Sequence, residues 1–279
     1  MKKITAEQIT EAVAELCQEA NFFLNEDLIE SLKKGKKEES SALGQDIFQQ
    51  LIKNQKLAAK KQIPVCQDTG FVVVFAEIGN QVLIEGNFEE AINQGVKKGY
   101  REGYLRNSIV KDPLKRVNTG DNTPAVVHTE LVTGDKLVLK IAAKGGGSEN
   151  MSRIKMLSPG DGKQGIIDFV VDTVRKADAN PCPPIIVGVG LGGTFEKAAI
   201  LSKKALLRDL GDQHPDPDTA ELEKTLLKKI NQLGIGPQGL GGEITALGVK
   251  IEKYPCHIAS LPVAVNINCH ASRHKEIIL

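Results

Sequence analysis

The chain has 279 residues, of which 41% are hydrophobic and 25% are charged, so it can bury the core of a globular protein. Its 36 basic residues nearly balance its 35 acidic ones, which argues against a general attraction to nucleic acid or anionic lipid. The longest apolar runs are far shorter than the roughly 20 residues of a spanning helix, and no apolar signal core follows the N-terminus, so we expect a cytoplasmic protein and no membrane partner.

The first part of the chain, residues 1–62, is predicted to be helical. Thr5 and Gln8 have the spacing of a capping box, and apolar residues then recur every three or four positions. Two further stretches, residues 26–32 and 42–61, combine strong helix formers with the same periodicity. The sequence therefore predicts three helices before the first long strand.

The remainder, residues 63–279, is predicted to mix strands with helices. Short β-branched and aromatic runs bounded by glycine indicate strands, and longer amphipathic stretches indicate helices. We expect the second predicted strand to pair with the first, and the third and fourth to form a hairpin across Thr133-Gly134-Asp135. The predicted strands cover residues 71–75, 81–84, 125–132, 136–142, 185–189 and 258–267, and the predicted helices cover residues 88–105, 164–177, 195–208 and 220–233.

These elements predict an α+β (mixed α/β) fold. We expect a single domain over residues 1–279, in which the helical N-terminal part precedes a small mixed β-sheet flanked by helices. A glycine-dense stretch, residues 234–242, is expected to be a long loop, and loops of that kind often carry function.

The five cysteines are an odd number and lie far apart, which fits a disulfide framework poorly and suits a reducing compartment. Cys66, Cys182 and Cys269 each stand in a polar or proline-fixed loop at the edge of a predicted strand. Cys17 instead lies within an amphipathic helix, where a thiol normally packs as a small hydrophobe, and Cys256 is ambiguous. Three loop thiols can converge on one point and bind a metal.

Spacing alone leaves several interpretations of the three loop cysteines open. Any one of them taken singly is more often a buried, inert thiol. Zinc prefers four ligands with short CxxC spacing, and a cysteine nucleophile needs only one thiol and a base. Three thiolates would hold three irons of a four-iron cluster and leave the fourth iron open as a Lewis acid.

Several ordered motifs resemble the alpha region of the iron-sulfur (class I) fumarate hydratase and L-tartrate dehydratase family. The resemblance extends from about residue 5 to the end of the chain. Its motifs are residues 66–70 (CQDTG), 144–150 (KGGGSEN), 180–193 (NPCPPIIVGVGLGG), 234–242 (GIGPQGLGG) and 257–274 (HIASLPVAVNINCHASRH).

The resemblance implies a 4Fe-4S cluster held by Cys66, Cys182 and Cys269, the three cysteines already singled out. It also implies a hydro-lyase in which the open iron acts as a Lewis acid without a change of oxidation state. The family's catalytic unit includes a beta part, so we expect a separate beta subunit and a symmetric heteromer, or a homodimer of alpha chains, that closes the active site at an interface.

The motifs near the expected substrate favour fumarate. Residues 105–110 (LRNSIV), 121–125 (DNTPA), 148–150 (SEN) and 269–274 (CHASRH) are similar to the fumarate hydratase version, so we expect reversible hydration of fumarate to L-malate. Met151 departs from the pattern, because many relatives have lysine there. The alternatives are an L-tartrate dehydratase alpha subunit or a non-catalytic metal-binding or assembly subunit.

Asp68 is the first candidate for general acid and base catalysis, because it lies two residues from a predicted ligand. His257 is the second candidate, and its role follows mainly from the resemblance. Arg106 can bind a carboxylate through a two-pronged fork, while Gln67 and the backbone of Gly146 are expected to contact substrate. The competing interpretations are a loop aspartate bonded to backbone amides, a structural histidine, a surface arginine and an ordinary glycine turn.

Overall fold

The structure, a computed structural model, describes all 279 residues. In chain order, the elements are β1 (Lys2–Thr5), α1 (Ala6–Phe22), α2 (Glu26–Glu38), α3 (Ala42–Lys61), β2 (Phe71–Gly79), β3 (Val82–Glu85), α4 (Phe88–Glu102), β4 (Val126–Val132), β5 (Leu137–Lys144), α5 (Gly146–Glu149), β6 (Arg153–Leu157), α6 (Gly162–Ala177), β7 (Ile185–Gly192), α7 (Phe195–Ala205), α8 (Pro217–Asn231), β8 (Ala246–Tyr254), β9 (Leu261–Asn268) and β10 (His274–Ile278). Every one of the helices is too short or too polar to span a lipid bilayer.

The chain divides into two compact units. Unit 1 comprises Met1–Asn25, Asn54–Gly146 and Arg273–Leu279, and unit 2 comprises Glu26–Lys53 and Gly147–Ser272. Each unit has its own buried cluster of hydrophobic side chains and its own four-stranded sheet. The α+β fold class is confirmed, although the strands form three sheets where the sequence predicted one.

Unit 1 is built around a sheet of order β10-β5-β2-β4, with a separate parallel pair of β1 and β3. The capping box at the start of α1 is confirmed, because Thr5 and Gln8 exchange hydrogen bonds between side chain and backbone. The buried face of α1 and that of α4 contribute to one hydrophobic cluster with side chains of β2 and β5. Burial of these apolar faces is the main force that holds the unit together.

Two pairings that the sequence predicted in unit 1 are wrong. β4 and β5 do not form a hairpin, because β2 lies between them, parallel to β4 and antiparallel to β5. β3 pairs with β1 rather than with β2. The physical reason is that β2 is almost continuously buried, as expected of a central strand with neighbours on both edges, whereas β4 is mostly exposed.

Unit 2 contains a sheet of order β6-β9-β7-β8. β7 is buried along its whole length and pairs in parallel with β8 and antiparallel with β9. Apolar side chains of α6 and α8 complete the hydrophobic cluster with those of the sheet. The fully buried β7 begins just after Cys182, and its antiparallel neighbour β9 ends just before Cys269.

Four strands were not predicted from the sequence, namely β1, β6, β8 and β10. Each contains lysine, arginine or glutamate within a short apolar pattern, which weakens the alternation that identifies a strand. The strand predicted from residue 258 begins three residues later in the structure, at Leu261 of β9. The glycine-dense stretch is a loop with one short 3-10 turn at Pro237–Gly239.

Candidate functional site

The loop that carries Cys66 follows α3 in unit 1 and is fixed at its start by two backbone contacts. The amide of Val65 donates to the carbonyl of Asn21 over 2.9 Å, and the side-chain amide of Asn54 donates to the carbonyl of Val65 over 2.7 Å. Cys66 itself is half-buried, and the neighbouring Gln67 is exposed. The backbone before the thiol is therefore ordered, while Gln67 is accessible to a ligand.

Thr69 ties the same loop to the segment that carries Arg106. Its hydroxyl accepts a hydrogen bond from the Arg106 amide over 2.9 Å and donates one to the Arg106 carbonyl over 3.0 Å. The buried hydroxyl of Tyr100 donates to the carbonyls of Thr69 and Gly70, and burial raises the pKa of this phenol well above its usual range. The side chain of Arg106 remains exposed, so the backbone is fixed and the guanidinium can reach a ligand.

Asp68 is held between backbone amides and a buried arginine. One carboxylate oxygen accepts from the Gly70 amide over 3.0 Å and the other from the Gly146 amide over 2.9 Å. Arg273, with only 4% of its surface exposed, donates from one nitrogen to the Asp68 carbonyl over 2.6 Å and to the Asn21 side-chain oxygen over 3.0 Å. The predicted acid/base residue and the predicted substrate-binding glycine therefore contact each other in unit 1.

The two other predicted ligands lie in unit 2 at one end of its sheet. Cys182 precedes β7 and Cys269 directly follows β9, and these strands are antiparallel with Ile186 opposite Asn268. The ring nitrogen Nδ1 of His270 lies 3.1 Å from the carbonyl oxygen of Cys182. We call this edge of the sheet the thiol end. It brings together two cysteines that are 87 positions apart in the sequence.

His257 lies at the opposite end of the same sheet, in the connection between β8 and β9. The eight residues of β9 separate this position from Cys269 by roughly 24 Å, at about 3.4 Å per residue. The imidazole is exposed, and its Nδ1 accepts a hydrogen bond from the Ala259 amide over 3.1 Å. We call this edge the histidine end. Within one copy of unit 2, the structure does not bring His257 to the thiol end.

The two remaining cysteines differ from the predicted ligands. Cys17 is 1% exposed within the hydrophobic cluster of unit 1, which confirms its interpretation as a packed thiol. Burial raises the pKa of the Cys17 thiol above its usual range, so this cysteine stays protonated and is a poor metal ligand. Cys256 is exposed at the histidine end, where its sulfur lies 3.3 Å from the carbonyl oxygen of Ser260.

Cys66 belongs to unit 1, whereas Cys182 and Cys269 belong to unit 2. Neither unit by itself gathers three or more His, Cys, Asp or Glu side chains into a group that could hold a metal ion. The site of three thiols therefore stays a prediction. Two of the three cysteines, Cys182 and Cys269, lie at one end of the unit 2 sheet.

Several residues that shape these loops were not selected from the sequence. Thr69, Gln238 and Arg273 lie within motifs that identified the family, and Asn122 lies in the motif at residues 121–125, but all four make contacts to backbone atoms distant in sequence. Tyr100 lies in none of those motifs. The only feature of the sequence that could have identified it is the position of a polar aromatic residue on the apolar face of α4. Polar residues inside an otherwise apolar or glycine-rich motif would have been the signal to follow.

The sequence profile of the fumarate hydratase (Fumerase) family matches residues 10–278. A protein of Methanocaldococcus jannaschii named "Putative L(+)-tartrate dehydratase subunit alpha" is 46% identical over 274 residues, which cover 95% of each chain. The L(+)-tartrate dehydratase subunit alpha of Escherichia coli strain K12 is 34% identical over 282 residues, covering all of this chain and 93% of its own length. The match over nearly the whole chain shows that this protein belongs to the fumarate hydratase (Fumerase) family.

Proposed function

We propose that this chain is the alpha subunit of a hydro-lyase that adds water to, or removes it from, a four-carbon dicarboxylate. Cys66, Cys182 and Cys269 would hold a 4Fe-4S cluster. The observation that carries the proposal is the thiol end of unit 2. Cys182 precedes β7 and Cys269 follows the antiparallel strand β9, so both cysteines lie at the same end of the sheet. The family match over residues 10–278 supports the same reaction class.

The donor set fits an iron-sulfur cluster. Cys182 is exposed and Cys66 and Cys269 are half-buried, so thiols at these positions are accessible to iron, unlike the buried Cys17. Held by these three cysteines, such a cluster would supply Lewis-acid chemistry. The remaining steps of the reaction must be performed by protein side chains.

Asp68 is proposed to move the proton at the substrate carbon. Its two carboxylate oxygens accept hydrogen bonds from the amides of Gly70 and Gly146, which orient the group for proton transfer. Arg106 is proposed to bind a substrate carboxylate through its exposed guanidinium, beside the exposed Gln67. Gly146 is proposed to contact substrate through its neighbouring backbone, although its amide already donates to Asp68.

His257 is proposed to act from a second copy of the chain. The strand between His257 and Cys269 keeps the imidazole roughly 24 Å from the thiol end of its own unit, beyond the reach of any side chain. A symmetric assembly, either a homodimer of alpha chains or a larger heteromer, can supply the histidine end of one copy to another copy. This arrangement would make assembly a condition for turnover.

A separate beta subunit is proposed as the second partner. Both relatives described above are named as alpha subunits, which implies that each functions with another polypeptide. The test is to compare the isolated chain with the same chain co-expressed with a candidate beta polypeptide. We expect cluster binding in both samples and strong turnover only in the pair. Full activity of the isolated chain would refute the need for a partner.

Two substrates have specific support. The motifs at residues 105–110, 121–125, 148–150 and 269–274 favour fumarate and L-malate, whereas the names of the curated relatives favour L-tartrate. Anaerobic reconstitution of the pair, followed by iron and sulfide counting, visible absorption and assays with fumarate, malate and both tartrates, tests cofactor and substrate together. A cluster without turnover of any dicarboxylate would favour a non-catalytic assembly subunit.

A further inference from the structure

The glycine-rich segment, defined here as residues 234–244, packs directly on the loop that carries Cys182. A Cβ atom built on Gly239 would lie 2.2 Å from the Cβ of Ala179, so only glycine allows this approach. Gln238 adopts a positive φ of 54°, a backbone conformation that side-chain-bearing residues rarely adopt. The segment is thus shaped to fit one specific neighbour within unit 2.

Gln238 makes two hydrogen bonds to the residue after Cys182. Its backbone amide donates to the Pro183 carbonyl over 2.8 Å, and its side-chain Nε2 donates to the same oxygen over 2.7 Å. The same Nε2 lies 3.2 Å from Nδ1 of His270, which is itself 3.1 Å from the Cys182 carbonyl oxygen. One amide side chain therefore lies beside the loops of both thiols at this end.

The far side of the segment is anchored by a buried carboxylate. Glu39 is 1% exposed, and its Oε2 accepts hydrogen bonds from the amides of Glu243 over 2.9 Å and Ile244 over 3.0 Å. Its Oε1 accepts from the Ser41 amide over 3.0 Å. A Cβ on Gly242 would lie only 2.8 Å from Oε2, so glycine is needed where the backbone meets the carboxylate. Charge-assisted bonds of this kind are stronger than neutral ones.

We propose that Gln238 is a positioning residue for the Cys182 thiol and that Glu39 anchors the segment that presents it. This inference rests on the proposed function, in which Cys182 is a cluster ligand. A loop that is ordered before iron arrives loses less conformational entropy on binding it, so positioning raises affinity without any direct contact to the metal.

The test uses the full chain without its cluster and measures amide hydrogen exchange by mass spectrometry. The reporters are the amides of Asn180 and Cys182, which donate to Ala177 and Ala179. Gln238→Glu keeps the side-chain size but replaces the donor with an oxygen, and Gln238→Gly suits the positive φ while removing the side chain. We expect exchange of both reporters to accelerate on the order of fivefold in each variant.

Two controls separate local positioning from general destabilisation. Gln232→Glu makes the same chemical change at an exposed position just before the segment and should leave exchange unchanged. Peptides covering residues 254–260, at the histidine end, should exchange at the parental rate in every variant. Equal exchange of Asn180 and Cys182 in parent and Gln238 variants overturns the inference, and so does faster exchange throughout unit 2.

Reconstitution under limiting iron provides the second measurement. The Gln238 variants should bind several-fold less iron per chain than the parent and the Gln232 control, and iron binding equal to the parent's would overturn the inference. Glu39→Gln, which removes the charge and keeps the size, should shift exchange and iron binding in the same direction. If the parent chain itself binds no iron, the proposed function fails, whatever the exchange results.

Discussion

The two ends of the unit 2 sheet contain candidate functional residues of different kinds. Residues far apart in the sequence lie at the same end, whereas residues close in the sequence lie at opposite ends. Cys182 and Cys269 are 87 positions apart, yet both lie at the thiol end because β7 begins where β9 finishes. His257 is only twelve positions before Cys269, yet it lies at the other end. Strand direction, and not spacing along the chain, decides which residues can act on one ligand.

The two ends also differ in their surfaces. At the thiol end, the loops are fixed by hydrogen bonds from Gln238 and by close backbone packing of glycines. At the histidine end, large apolar side chains remain exposed, with Ile258 92% and Phe195 58% accessible. The histidine end is also held by contacts within unit 2, because Ala259 donates to His257 and a Cβ on Gly192 would lie 2.0 Å from the Tyr254 carbonyl oxygen. The two ends therefore differ in the apolar surface that they expose rather than in local order.

The largest expected effect is a difference between the same substitution at two exposed cysteines, Cys182 and Cys256. If Cys182 holds the proposed cluster, Cys182→Ser should abolish stable cluster binding and reduce turnover on the order of a thousandfold, because Lewis-acid stabilisation worth several kcal/mol would be lost. Cys256→Ser, the matched change at the histidine end, should leave iron content and turnover at parental values. Iron and sulfide counting after anaerobic reconstitution measures both. A Cys182→Ser protein with the same iron and sulfide content as the parent would contradict a special role for the thiol end in cluster binding.

The next effect concerns β7, the strand that joins the ends. A Cβ on Gly188 would lie 2.1 Å from the Ser202 carbonyl oxygen, so Gly188→Ala forces β7 and α7 apart and should lower the free energy of unfolding by about 3 kcal/mol. Gly211→Ala is the control, because a Cβ at this position would meet no atom within 4 Å. This substitution should change the free energy of unfolding little. Urea denaturation compares the two. Equal stability of both variants would show that β7 is less constrained than its packing indicates.

A smaller effect tests whether the histidine end acts from a second copy. His257→Asn should leave iron content unchanged and lower turnover on the order of a hundredfold, which is typical for loss of a proton-transfer group. Co-expression of His257→Asn with Cys182→Ser chains should restore part of the activity, because in the proposed arrangement one copy would supply the thiols and the other the imidazole. Mixed assemblies that remain inactive would contradict action between copies.

The smallest effect is a pH response near the histidine end. Hydrogen bonds from Lys253 and Thr219 lower the pKa of Asp216 from 3.8 to about 2. The stabilisation from this carboxylate is therefore complete above pH 3.8 and is lost as pH falls toward 2, and solvent exposure keeps it small. Titration of the carboxyl group by NMR should show its pKa rising toward the ordinary value in Lys253→Met. An unchanged pKa would rule out the lysine as its cause.

The amino-acid sequence determined the features that depend on local chemistry. The capping box of Thr5 and Gln8, the buried helical thiol of Cys17 and the mixture of helices and strands all follow from side chains within a few positions of each other. Ordered motifs also determined family membership, because they are read along the chain without knowledge of the fold.

Only the tertiary structure decided which strands are neighbours and which end of a sheet each loop occupies. The turn between β4 and β5 suits a hairpin, but the more apolar β2 takes the central place between them. Contacts such as Gln238 to Pro183 or Arg273 to Asp68 join residues 55 and 205 positions apart. Such contacts depend on burial and packing summed over a whole unit, a quantity that no local pattern contains.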